Sequence, residues 1–101
     1  MYRQGDILIF AVDSIPADAR ENARENGRIV LAHGEVTGHA HVVAMPGVHW
    51  FGSMKDVQYV QSDAPFAVTH EEHGTLALPA GAYVVIRQME YTPGELRRVA
   101  D

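Results

Sequence analysis

A chain of 101 residues with 47% apolar content has room for one domain and one modest core. Cysteine is absent, which excludes disulfides, thiolate metal sites and cysteine nucleophiles, and suits a reducing cytoplasm. The formal charge of −5 argues against binding long nucleic acid through a broad basic surface, but leaves room for a small anionic ligand held by a local cluster of cations.

The opening Met1-Tyr2-Arg3-Gln4-Gly5-Asp6 lacks the apolar run of a signal peptide, and no stretch is long enough to span a bilayer. A cytoplasmic protein with no membrane partner is the expectation. Residues 7–12 are short, rich in β-branched and aromatic residues and apolar on both faces, which predicts a buried strand. The chain then turns polar. Residues 16–20 suit a helical turn and 22–27 an exposed loop. A second strand is predicted over 28–33. Gly34 and Gly38 bracket a tight connection, and a third strand follows over 39–45. Pro46-Gly47 is a turn signal between that strand and a pair over 48–51 and 56–61. Residues 66–70 read as a strand, 71–74 as a turn and 75–78 as a short strand ended by Pro79-Ala80-Gly81. The longest strand is predicted over 82–91. Thr92-Pro93-Gly94-Glu95 has the form of a helix start, with Thr92 as cap, Pro93 in the first turn and Glu95 closing a capping box, so 96–100 is predicted as a short C-terminal helix. Many short strands with Gly/Pro turns predict a mainly β domain over 1–101: a small antiparallel β-barrel or sandwich with that helix laid against it.

Thr37-Gly38-His39-Ala40-His41 and Thr69-His70-Glu71-Glu72-His73-Gly74 hold four of the six histidines, and His33 and His49 flank the first stretch. A lone histidine is ordinarily a surface or half-buried polar residue, and His49, beside Trp50 and Phe51, fits that description. His39 and His41 are two apart, so on a strand they share a face at about 7 Å between Cα atoms. His70 and His73 flank two carboxylates at a strand-to-turn junction. Strand pairing would let the two stretches meet at one end of the fold. None of the four sits inside an apolar run, so their removal is expected to leave the fold intact.

Imidazoles in such a group serve one of two chemistries. As ligands, His-x-His with further histidines and a glutamate can hold Zn, Fe, Mn or Ni. The Gly-x-x-x-Gly-His-x-His run and the Pro79-Ala80-Gly81 turn resemble a cupin, although Val42-Val43-Ala44-Met45 stand where a cupin carries its glutamate. As acid and base, two histidines can cleave RNA through its own 2′-hydroxyl, each contributing roughly 10²–10⁴-fold, with a cation to steady the phosphorane. Arg87 and Lys55 are candidates for that cation, with Arg3, Arg28, Arg97 and Arg98 as alternatives, and His33 is a further candidate for substrate contact. Glu71 or Glu72 can orient an imidazole. Tyr2, Trp50, Tyr59, Tyr83 and Tyr91 are candidates for stacking on bases or for the core.

A cysteine-free β protein of about a hundred residues with Gly38-His39-Ala40-His41 and His70-Glu71-Glu72-His73 resembles the fourth family of CRISPR-associated ring nucleases, over nearly the whole chain. That family also occurs in phages and plasmids. The resemblance implies a homodimer that degrades the cyclic oligoadenylate second messengers of type III CRISPR defence. It implies cleavage without metal or other cofactor, through His39, His41, His70 and His73 as catalytic residues, leaving 2′,3′-cyclic phosphate ends. The arginines and Lys55 match no motif of that family and keep only their chemical candidacy.

Overall fold

The computed structural model describes residues 1–33, 39–53, 57–92 and 95–98, with side chains through Gln88. The expected connection at Gly34 and Gly38 and the candidate Lys55 lie outside these residues. Twelve strands in chain order account for the described structure: β1 (Tyr2–Gln4), β2 (Ile7–Val12), β3 (Arg20–Glu21), β4 (Ile29–His33), β5 (Ala40–Val43), β6 (Val48–Gly52), β7 (Gln58–Ser62), β8 (Phe66–Val68), β9 (Leu76–Leu78), β10 (Gly81–Arg87), β11 (Met89–Thr92) and β12 (Glu95–Arg98). Every pairing is antiparallel, as the sequence predicts. Among the described residues no helix is present, and so none that could cross a membrane.

The largest sheet has six strands in the order β1-β2-β10-β7-β6-β3. It is open, not a closed barrel, because β1 and the two-residue β3 remain as its edges. The β4–β5 hairpin is stitched to Thr69, the residue that follows β8, by a two-way bridge, with Val42 N to Thr69 O and Thr69 N to Val42 O both 2.9 Å. One core is drawn from both groups of strands. Ile7, Ile9, Val60, Tyr83 and Val85 of the large sheet pack with Ile29, Leu31, Val43, Phe66, Val68 and Leu78. Trp50 and Tyr83 belong to this core. Their polar ends are satisfied by Gln58 Oε1 at 2.8 Å and Pro79 O at 2.7 Å, so both are packing residues and not open stacking platforms.

The expectation at the C-terminal end needs correction. The C-terminal helix is instead a hairpin: β11 and β12 pair from Thr92↔Glu95 out to Met89↔Arg98. Pro-Gly is a tight-turn signal as much as a helix-start signal, and a helix of five residues could scarcely complete the costly first turn. Residues 22–27 form the expected, largely exposed loop, and a tight turn ends it. Glu25 and Arg28 exchange both backbone hydrogen bonds across Asn26 (φ 53°) and Gly27 (φ 79°). Positive φ at both central positions is the type I′ turn that an Asn-Gly pair favours. The turn at 16–20 is a single one, closed by Ala19 N to Pro16 O at 3.1 Å, before the chain enters β3.

Candidate functional site: a histidine cluster on a buried ionic floor

The β1–β2 connection builds the floor. Gln4 pairs with Ile7 across Gly5-Asp6, and Gly5 has φ 56°. Glycine at the first central position is what a two-residue type II′ turn requires. The turn leaves both Gln4 (2% exposed) and Asp6 (1% exposed) inside the protein. Arg87 lies opposite Ile7 at the end of β10, and its Nε donates to Asp6 Oδ2 at 2.6 Å. Its Nη2 donates to the His33 carbonyl at 2.6 Å.

His41 sits on this floor with no exposure at all. It points inward because β5 alternates: Val43 and His41 share one face, toward the core, and Val42, also buried, lies on the other, along a shallow cleft. Opposite it, β4 carries a bulge, the register moving from Val30↔Val42 to Ala32↔His41. His41 Nδ1 lies 2.8 Å from Gln4 Oε1 and Nε2 lies 3.0 Å from Asp6 Oδ1. The orientation of the Gln4 amide follows from its other bonds: Nε2 donates to the carbonyls of Val68 and Gly74, both at 2.9 Å. Both ring nitrogens of His41 therefore face acceptors, and hydrogen-bond accounting gives each a hydrogen. His41 is an imidazolium held against the Asp6 carboxylate, which the Arg87 guanidinium also grips.

The two histidine motifs meet above this floor, as the sequence suggests. Ring centroids are 4.4 Å apart for His41 and His70, 4.5 Å for His70 and His73, 5.8 Å for His39 and His70, and 6.2 Å for the nearly parallel His41 and His73. His70 Nδ1 accepts the backbone N–H of Glu72 at 3.0 Å and of His73 at 3.3 Å, which fixes its hydrogen on Nε2. Both glutamates hold the rim. Glu72 Oε1 lies 3.1 Å from His39 Nδ1, close enough for an ion pair although off the in-line direction of a hydrogen bond. Glu71 Oε2 accepts the Ala40 N–H at 3.1 Å. Its own backbone N–H and that of Ala40, with help from His39 and His70, hold its carboxyl below the usual carboxylate range.

The structure thus brings together His39, His41, His70 and His73, and places the remaining candidates elsewhere. The His33 imidazole is exposed and lies 3.9 Å from Glu25, so only its carbonyl joins the network. His49 pairs with Glu21 at 2.9 Å on the surface. Arg87, a candidate for phosphate contact, spends Nε and Nη2 on Asp6 and the His33 carbonyl. His41 is an anchor of the fold, contrary to the expectation that all four imidazoles are dispensable to it. Gln4 and Asp6 were not singled out in the sequence. The Gly5 turn next to them was the available signal. Arg28 was one alternative among several cations, and it lines a shallow cleft of about 340 Å³ with Val42, Thr69, His70 and Glu71. A separate cleft of about 580 Å³ along Ala17, Arg20, Asn22 and Gly52 holds no histidine. Among the described residues, no group of three or more His, Asp or Glu is arranged to hold a metal ion.

Comparison with curated proteins gives no match, and neither does comparison with solved structures. One family model matches residues 3–88, a span that runs from β1 to the end of β10 and contains every residue of the floor and the cluster. The chain belongs to that family, a domain of unknown function (DUF8820).

Proposed function

We propose that the histidine cluster cleaves phosphodiesters by metal-independent acid–base chemistry through the substrate's own 2′-hydroxyl, with cyclic oligoadenylate as the substrate. The reading is supported by one observation above all: three imidazoles, His39, His70 and His73, stand together over a fourth whose two ring nitrogens both face buried acceptors. Their hydrogen bonding gives them different tasks. The Glu72 carboxylate favours hydrogen on His39 Nδ1, which places the lone pair on Nε2 and makes His39 the base for the 2′-hydroxyl proton. His70 does not transfer a proton. With Nδ1 engaged as an acceptor and Nε2 buried, it keeps its single hydrogen and holds the cluster in place. His73, half-buried and beside His70, gives a proton to the departing 5′-oxygen in its imidazolium form. The 2′-oxygen bonds to phosphorus as the P–O5′ bond breaks, which leaves a 2′,3′-cyclic phosphate. His41, Asp6 and Arg87 form the charged floor on which His70 rests. Arg28, in the adjoining cleft, is the cation placed to meet a phosphate.

A ligand role for His41 has no comparable support, because both of its nitrogens carry hydrogens toward Gln4 and Asp6. The test is incubation with a series of cyclic oligoadenylates in excess EDTA, with analysis of product ends. Linear products with 2′,3′-cyclic phosphate are expected. His39→Ala or His73→Ala should lower the rate on the order of 10²-fold or more. Substrate with 2′-deoxy riboses at every linkage should bind and stay uncut. Activity that is lost to EDTA and restored by Mn²⁺ or Zn²⁺, or no turnover of any ring size, would overturn the proposal.

A further inference from the structure

Glutamine is mostly a surface residue, yet Gln4 is buried. Its place follows from β1. Tyr2 and Gln4 share one face of that strand, and Tyr2 packs against the core with its ring 6.2 Å from that of Tyr83. A buried amide has two N–H donors and an oxygen to satisfy. Gln4 uses all three on the histidine site: Nε2 donates to the Val68 and Gly74 carbonyls, and Oε1 faces His41 Nδ1. Val68 ends β8 and Gly74 lies just ahead of β9, so the amide spans both legs of the loop over 69–75. That loop is longer than the roughly 2–5 residues of an ordinary hairpin loop, and the β8–β9 ladder stops at Val68↔Leu76. Its first leg is held to β5 by Thr69 and Val42, and its crest by Glu71 and the Ala40 N–H. On the return leg, where His73 stands, Gln4 holds the Gly74 carbonyl.

We infer that Gln4 is a positioning residue for His73, a role that rests on the acid function proposed for that imidazole. The amide acts on His73 from two sides. It pins the return leg through the Gly74 carbonyl, and it orients the His41 ring, which lies nearly parallel to His73 at 6.2 Å. Being buried beneath the loop, it touches no substrate itself. Its two tasks can be separated. Glutamate at this position keeps an oxygen for His41 Nδ1 but has no N–H for the two carbonyls, so Gln4→Glu opens the clasp and spares the contact below it. With the leg released, His73 moves off the line of the departing 5′-oxygen. His70 keeps its place on the first leg, and His39 keeps its place beside β5. A misplacement of about 1 Å can cost on the order of 10²-fold in rate. The loss falls on the chemical step and not on binding, because the cleft that carries Arg28 is bounded by Thr69, His70 and Glu71, on the side of the loop that stays held.

The experiment compares wild type, Gln4→Glu and Gln4→Met at a temperature where circular dichroism shows each to be folded. Steady-state turnover of the cyclic oligoadenylate that wild type cuts fastest gives kcat and KM. Hydrogen exchange by NMR follows the Glu72 and His73 amides, which donate to His70 Nδ1 inside the loop. In both variants kcat should fall by about 10–100-fold while KM stays within about threefold. The two amides should exchange about tenfold faster or more, a local opening of the loop. A residue that only stabilised the fold would leave kcat of the folded protein and both amides unchanged, and that result overturns the inference. So does a rise in KM at unchanged kcat. If Gln4→Glu fails to fold, Gln4→Met, which buries no charge, carries both readouts. A wild type that cuts no ring overturns the proposed reaction and the positioning role with it. A wild type that cuts rings, with variants that keep its kcat, overturns the positioning role alone.

Discussion

Asp6→Asn is the most direct perturbation of the ionic floor, because it removes one charge and almost no volume. Asp6 and His41 have no side-chain exposure and Arg87 only 14%, so solvent screens the group weakly. The carboxylate makes contacts of 3.0 Å to His41 Nε2 and 2.6 Å to Arg87 Nε. Removing one member of a buried pair typically costs about 3–5 kcal/mol, since the remaining charge stays buried. Asparagine softens the loss. Its oxygen can still accept from Arg87, and its amide N–H can face His41 once that ring gives up its Nε2 hydrogen. We therefore expect about 3 kcal/mol, a large share of the roughly 5–15 kcal/mol available to a domain. In a chain of this size that lowers Tm by roughly 12–24 °C. Urea unfolding measures the energy, and ¹⁵N NMR of the imidazoles reads the charge. The wild-type His41 should show both nitrogens protonated, and the variant one bare nitrogen. A cost below about 1 kcal/mol, or a wild-type His41 with one bare nitrogen, would refute the hydrogen-bond accounting.

Gln4→Leu should cost about 2–4 kcal/mol in urea unfolding, because the Val68 and Gly74 carbonyls and His41 Nδ1–H all lose their partner; unchanged stability would mean water or another group replaces the amide. Gly27→Ala should cost about 1 kcal/mol from backbone conformation alone. The residue has φ 79° and open space where a Cβ would stand, so a much larger loss would point to a packing role that the structure does not contain. Glu71 has a folded-state value depressed by the hydrogen bonds it accepts, so its contribution is complete above its ordinary 4.5 and is lost as pH falls through the folded value. Glu71→Gln should therefore flatten the acid limb of the stability–pH curve, and identical limbs in variant and wild type would show that the Ala40 contact contributes nothing.

Much of the fold was legible because it is local. Strands such as 7–12, 28–33 and 48–51 announce themselves by β-branched and aromatic content between Gly and Pro turns, and these signals do not depend on the rest of the molecule. What was not legible depends on pairing. Thr92-Pro93-Gly94-Glu95 satisfies the pattern of a helix start and of a hairpin turn equally well, and only the register Met89↔Arg98 decides between them. The barrel expectation failed for a similar reason. Closure needs the two edges to meet, and the sequence does not say that β3 is only two residues long and ends the sheet.

The same distinction separates the parts of the site. Four histidines in two short motifs are conspicuous in the sequence, and their spacing on strand and turn is enough to suggest that they converge. The state of His41 is not conspicuous, because it is set by groups remote in the chain: Gln4, 37 positions away, and Asp6, 35 positions away. Histidine composition alone makes His39 and His41 equivalent members of a His-x-His pair. The structure makes them unlike, one at the rim beside Glu72 and the other fully buried over Asp6. A mutational scan read from the motif alone would therefore mislead. Loss of His41 would abolish any activity by unsettling the β1–β2 turn and β5 together, and its effect would resemble that of a proton-transfer residue. Only a stability measurement beside the rate separates the anchor from the groups that act on substrate: His41→Ala should lower both, and His39→Ala or His73→Ala the rate alone.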